Sequence, residues 1–264
     1  MVHARLRLSA LALLLPLIVP VPSSAQLAPT GTLRAAFLAT NPIQGRIDPA
    51  TGVLSGPVAD LVRELARRLG VPYTLIPVPR SPAAIEAITA RRADIAFIAY
   101  EAARAQQVDF SDPYLLMASA YLVRADSRIT RSADIDRAGV SVGAVAAQAP
   151  TLWIQDNLKN ARVQIVPAMP AHDALVTMLV SGEVEAFAAN RPRLEEAART
   201  SSRVRLLPDN FTVAGQAIIV EKGNAARTGE LNRFLADVRA SGFMRSSLDR
   251  AGLASVEVAP DAGR

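Results

Sequence analysis

The sequence predicts an α/β fold in two lobes, each a parallel-rich sheet flanked by helices, joined by two hinge crossings. Short apolar runs of strand composition alternate with segments of helical spacing, first over residues 33–99 and again over residues 140–207. A long apolar segment, residues 115–123, separates the two series, and another strand follows at residues 215–220. There is also an internal echo. AIEAITARRADIAFIA (84–99) and ALVTMLVSGEVEAFAA (174–189) superpose without a gap as helix, tight turn and strand, sharing Ala-Phe-x-Ala near the strand end. At this offset Tyr100 stands against Asn190 and Glu101 against Arg191, both pairs opening the turn after a strand. The alternative is that such βα units resemble one another by architecture alone.

In order, LRAAFLA after Thr32 is a short apolar strand that breaks at Asn41-Pro42, and residues 45–57 read as a hairpin-like excursion rich in turn residues. Val58, Leu61, Val62, Leu65 and Leu69 have helical spacing, with Gly70 as C-cap. A strand at residues 73–78 follows, then a helix over 83–91 opened by Pro82, then a strand at 95–99. A second apolar segment is closed by Ser111, Asp112 and Pro113, which read as a turn beside the crossing. Beyond it, strands at 140–145, 163–166, 184–188 and 204–207 alternate with helices at 150–157, 171–180 and 191–199. Two helices, 228–240 and 243–251, close the chain and would return it to the first lobe. The lobes so defined are residues 26–121 with 215–264, and residues 122–214, hinged near 121–124 and 212–218.

The first 25 residues stand apart. Arg5 and Arg7 precede the apolar run 10–21, and Ser23-Ser24-Ala25 supplies small residues for cleavage, the pattern of a secretory signal peptide. The run is too short, and too interrupted by Pro16 and Pro20, for a membrane span. The chain has no cysteine, which excludes disulfides, thiolate chemistry and a lipid-bearing cysteine. Export without disulfides points to the periplasm. The formal charge of +5 falls to +3 when Arg5 and Arg7 leave with the signal. Its arginines are interspersed with acids and form no run, so a solvated surface is favoured over nucleic-acid binding. One histidine remains after the signal, so a transition-metal site has little to build on, and no cofactor is expected.

The stretch 94–114, DIAFIAYEAARAQQVDFSDPY, organises the rest. Ligands of open α/β sheets bind beyond the carboxyl ends of strands, which is where the turn carrying Tyr100, Glu101 and Arg104 lies. Arg104 offers a planar five-donor fork suited to a carboxylate and is read as the anchor of a small anionic ligand. Glu101 either caps the turn, pairs with Arg104, or supplies a countercharge; Tyr100 either stacks on a ligand or packs at a lobe edge. Gln148 and Thr151 flank Pro150 at a helix start where Ala149 would cap poorly, leaving the helix's positive end free for an anion. Asn41, in the first strand's exit turn, is a further cleft candidate. Asp109, Ser111 and Asp112 are assigned to structure, Trp153 to the core and His172 to the surface.

RAQQVDFSDPY (104–114) resembles the Arg-x-x-x-Val-Asp-Phe-Ser-x-Pro-Tyr of the periplasmic solute-binding proteins that serve polar amino-acid transporters, and the resemblance extends over nearly the whole mature chain. It implies a type II periplasmic binding protein fold, with Arg104 clasping a ligand carboxylate and an inner-membrane ABC permease as partner to a monomeric protein. It also marks departures. The family's aromatic pair is replaced by Thr40-Asn41-Pro42-Ile43, its Gly-Ser/Thr-Thr by Ala147-Gln148-Ala149, and its ammonium-binding Asp by Asn190. An amide can accept from an ammonium but supplies no countercharge. The turn before Arg104 is two residues shorter than the family's usual form.

No Ser-His-Asp or Cys-His set and no phosphate loop can be assembled. The expectation is a non-catalytic importer component binding an anionic or zwitterionic solute through Arg104, Glu101, Tyr100, Asn41, Gln148, Thr151 and Asn190. The runner-up readings are a periplasmic dehydratase of the cyclohexadienyl type and a ligand sensor for a membrane receptor.

Overall fold

The computed structural model describes residues 26–39, 41, 43–48 and 50–261. Its first half runs β1 (Leu33–Leu38), a hairpin of β2 (Arg46–Ile47) and β3 (Leu54–Ser55), α1 (Pro57–Leu69), β4 (Tyr73–Val78), α2 (Ser81–Thr89) and β5 (Ile95–Ala99). The 17-residue β6 (Val108–Arg124) leads into β7 (Ser141–Val145), α3 (Ala149–Asn157), β8 (Arg162–Val166), α4 (His172–Val180), β9 (Ala186–Asn190), α5 (Arg191–Thr200) and β10 (Val204–Leu206). The chain returns through β11 (Thr212–Glu221) and ends with α6 (Ala225–Ala240), α7 (Phe243–Arg250) and β12 (Glu257–Val258). The signal segment lies outside the described residues. Among those that are described, no helix is long and apolar enough to cross a membrane.

The strands form one sheet in the order β4-β1-β5-β11-β6-β9-β7-β8, with β10 and β12 added on β6. β4, β1 and β5 run parallel to one another, as do β9, β7 and β8. Antiparallel β11 and β6 stand between these two parallel blocks and hold them in one frame. Because parallel strands align their carboxyl ends, each block presents one row of strand-end turns, and these rows build the site.

Local sequence explains the elements. Val58, Leu61, Val62 and Leu65 of α1 are buried as their spacing predicts, and Gly70 ends the helix in the left-handed region at φ 68°. These residues pack with Leu33, Phe37, Phe97 and Tyr114, and with Leu231, Phe234, Met244 and Leu248 of α6 and α7. The closing helices therefore do return to the first block. Leu122, Leu175, Leu179, Phe187 and Leu194 form a separate apolar cluster in the second block. Trp153 lies 5.1 Å from Phe211, which in turn lies 4.3 Å from Tyr121. His172 is half-buried, its Nε2 3.7 Å from a Glu196 oxygen.

Ser111, Asp112 and Pro113 do not form the expected turn. They sit inside β6, where the register against β11 shifts on either side of Ala217. Pro113 has no N–H for the ladder, so a bulge absorbs it. The Ser111 Oγ accepts the Ile218 N–H at 2.9 Å and donates to the Asp112 carbonyl at 2.8 Å. Ser111→Ala would strand that buried amide, and we expect it to lower unfolding free energy by about 1–3 kcal/mol, read from urea melts. Asp109 instead accepts from the Gly223 and Asn224 amides before α6. β9 begins two residues later than the pattern predicts; the Val184 amide bonds the Met178 carbonyl of α4 and the Glu185 amide bonds the Ser141 carbonyl at the start of β7.

Candidate functional site

A cleft of about 510 Å³ lies between the two rows of strand ends. The first block contributes Leu38 and Asn41 after β1, Arg80 and Ser81 after β4, and Ala99 and Arg104 after β5. The second contributes the β7–α3 turn with Gln148, Met169 after β8, and Ala189 and Asn190 at the end of β9. Gln216 reaches the cleft from β11. The echoing segments meet here: Ala99 and Ala189, equivalent at the repeat offset, both line the cleft.

Arg104 sits in a single 3₁₀ turn and is only 7% exposed. It donates Nη1 to the Ala99 carbonyl at 2.8 Å and Nη2 to the Ala147 carbonyl, in the opposite block, at 3.1 Å. Ala147 holds φ +59°, a left-handed conformation that costs an alanine about 1–2 kcal/mol. Two of the five guanidinium N–H groups are thus engaged, leaving three for a ligand. Burial pulls the Arg104 pKa down, opposed by Glu101. A smaller hollow of about 370 Å³ borders the other side of Arg104, and its one acid, Glu86, is paired with Arg92 at 2.9 Å.

The seven residues singled out in the sequence divide. Arg104, Asn41, Gln148 and Asn190 line the cleft; Glu101, Tyr100 and Thr151 do not. Tyr100 is exposed and turns its ring edge-on to Phe110, centroids 5.1 Å apart. Thr151 is 1% exposed, and its hydroxyl donates to the Val145 carbonyl at 2.5 Å, tying α3 to the strand it follows. Arg191, the echo partner of Glu101, folds back onto Asn210 and the carbonyls of residues 207–209.

Glu101 stands behind Arg104. Burial pushes its carboxyl up, Arg104 pulls it down and Asp156 pushes it up further. The folded protein then holds that proton more tightly than the unfolded chain does. Glu101 therefore contributes stability below the ordinary carboxylate range and loses it as pH rises through its raised value. Accordingly, Glu101→Gln should raise the melting temperature at about pH 7 and leave it nearly unchanged at about pH 3.5, where both states are protonated. Paired thermal melts read this difference.

Sequence reasoning missed Arg80, Ser81, Arg193 and Gln216. Ser81 and Gln216 are 7% and 5% exposed, and neither side chain has a hydrogen-bond partner among the described residues. A lone glutamine between Gly215 and the apolar run AIIV was the available signal, because a buried carboxamide needs a partner. Arg80, Gln148 and Asn190 are the N-caps of α2, α3 and α5, and none makes a side-chain cap.

A sheet of two parallel blocks bridged by antiparallel strands, with a cleft of mixed polar and apolar lining between their strand-end turns, defines a type II periplasmic binding protein. The chain belongs to the bacterial extracellular solute-binding proteins, family 3, whose model matches residues 33–251. Among solved structures it is similar to the amino acid ABC transporter substrate-binding protein AbpA of Streptococcus pneumoniae bound to L-arginine, at TM-score 0.72 and 20% identity over 88% of this chain and 98% of that one. A putative binding component of an ABC transporter from Wolinella succinogenes, complexed with lysine, gives TM-score 0.72 and 21% identity over 83% and 95%. An ancestral amino acid-binding protein, AncCDT-1, a precursor of cyclohexadienyl dehydratase, gives 0.71 and 22% over 87% and 99%. No curated protein sequence matches the chain significantly.

Proposed function

We propose that the protein is the periplasmic substrate-binding component of an ABC importer, holding a small carboxylate-bearing solute in the interlobe cleft without transforming it. The observation that carries this reading is Arg104: a buried guanidinium on the cleft wall, oriented by two carbonyls and with donors to spare. Residues 26–121 with 215–264 act as one lobe and residues 122–214 as the other. They hinge where β6 and β11 pass between them. Closure around the ligand gives a membrane permease a shape to read, and the ligand favours that state only by its differential affinity. A monomer suffices for this role.

A dehydratase reading draws support from the likeness to AncCDT-1. Against it, the cleft wall among the described residues carries no Asp, Glu or His to move a proton. The deciding experiment is a thermal-shift screen of amino acids, keto acids, amides and small carboxylates, since a ligand bound only by the folded state raises the midpoint. Stabilisation by carboxylates is expected; stabilisation by amines or sugars alone overturns the assignment. Conversion of prephenate-like acids to aromatic product would replace binding with catalysis. Loss of solute uptake on deletion, restored by the protein, separates transport from sensing.

A further inference from the structure

Among the described residues, three guanidinium groups border the cleft, Arg80, Arg104 and Arg193, and no carboxylate does. Glu101 stands behind Arg104, and Arg193 is paired with Glu196 at 3.3 Å and donates to the Pro170 carbonyl at 3.4 Å. Arg80 has no hydrogen bond or ion pair from its side chain among the described residues. It follows β4, two strands across the sheet from the β5 end that carries Arg104, with the end of β1 between them on the same block. Arg193 faces them from the first turn of α5 on the opposite block. The uncapped N-termini of α2, α3 and α5 border the same space and add their positive ends to it. The buried, unpartnered polar side chains of Ser81 and Gln216 supply further hydrogen-bonding groups.

With Arg193 already paired to Glu196, a ligand with a single carboxylate on Arg104 leaves Arg80 and the uncapped helix ends unanswered. An α-amino acid adds a cation to this positive field, and the side chains available to receive an ammonium, Asn41, Gln148, Asn190, Gln216 and Ser81, are all neutral. Resting on the carboxylate reading above, we propose that the cleft selects a short dicarboxylate without an ammonium group, one carboxylate on Arg104 and the other on Arg80, with Arg193 closing from the opposite lobe. Leu38, Ile43 and Met169 would contact the carbon spacer.

Calorimetric titration of the purified protein with matched probes tests this: glutarate and 2-oxoglutarate as dianions, L-glutamate as the aminated counterpart, butyrate as the single carboxylate. The dianions should bind about tenfold or more tighter than L-glutamate and than butyrate. Arg80→Ala should narrow the preference for 2-oxoglutarate over butyrate by about tenfold, while Asn190→Asp should shift preference toward L-glutamate by a similar factor. L-glutamate binding as tightly as 2-oxoglutarate, butyrate matching glutarate, or an Arg80→Ala variant with unchanged preference overturns the dianion proposal and leaves carboxylate binding standing. If none of the four probes, nor any carboxylate in the thermal screen, is bound, the carboxylate reading itself falls.

Discussion

Arg104→Ala is expected to weaken binding of the proposed carboxylate ligand by about 2–5 kcal/mol, roughly thirtyfold to a few thousandfold in Kd. The size follows from where the guanidinium sits. At 7% exposure it has already lost most of its water, so a carboxylate meeting it replaces missing solvation. Its orientation is set in advance by the Ala99 and Ala147 carbonyls, so little side-chain freedom is lost on binding. Arg104→Lys keeps the charge but not the fork, and a single ammonium cannot reproduce two carbonyl bonds and a bidentate grip. An intermediate loss of about tenfold is therefore expected for the lysine variant. Calorimetric titration with the strongest ligand of the thermal screen measures both. If Arg104→Ala binds that ligand within about twofold of the parent, the anchor lies elsewhere. The Ala147 bond adds a second readout. It crosses between the two parallel blocks, so the alanine variant should also show faster hydrogen exchange in the β7–α3 turn without ligand.

Arg104 was legible in the sequence because its turn follows an uncharged apolar strand and precedes a polar-apolar motif. The α/β alternation was legible for the same reason: strand runs and helical spacing differ in period, and most observed elements fall within a residue or two of the predicted ones, while β6 starts seven residues before the predicted 115–123 and β11 and α6 start three residues early. Side-chain direction was not. Thr151 and Gln148 sit on either side of Pro150, yet one bonds back to its own strand and the other faces the cleft, because Gln148 is the N-cap with extended backbone outside the helix and Thr151 lies within its first turn. Tyr100 and Asn190 occupy equivalent positions in the echo and diverge because Phe110 offers Tyr100 a packing partner outside the cleft. Arg80 and Arg193 read as ordinary surface charges along the chain. Only the folding of separate strand ends against one another brings them to the wall that Arg104 occupies.

Phe187→Ala is expected to cost about 3–5 kcal/mol of stability, a large share of the roughly 5–15 kcal/mol that holds a native domain together. Phe187 is fully buried in the second block and stands directly opposite Gly143 across the β7–β9 pair. A Cβ at Gly143 would come within 2.7 Å of the Phe187 Cδ2 and 3.0 Å of its Cε2, so the ring lies against bare backbone. Gly143→Ala should then cost about 1–3 kcal/mol through overpacking, although the backbone there is ordinary strand. Combining it with Phe187→Leu should give less than the summed losses, by about 0.5–3 kcal/mol, because the smaller side chain vacates the space the new methyl needs. Denaturant melts of the four proteins complete the cycle, and strict additivity would show that the two positions do not share one volume. The consequence reaches the cleft. Gly143 lies four residues before Ala147, whose carbonyl orients Arg104, and Phe187 lies three before Asn190. If this contact sets how β7 and β9 present their ends, Gly143→Ala must weaken ligand binding without altering any residue that lines the cleft. The double variant must recover part of that loss, which a purely global destabilisation would not do under conditions where all four proteins are folded.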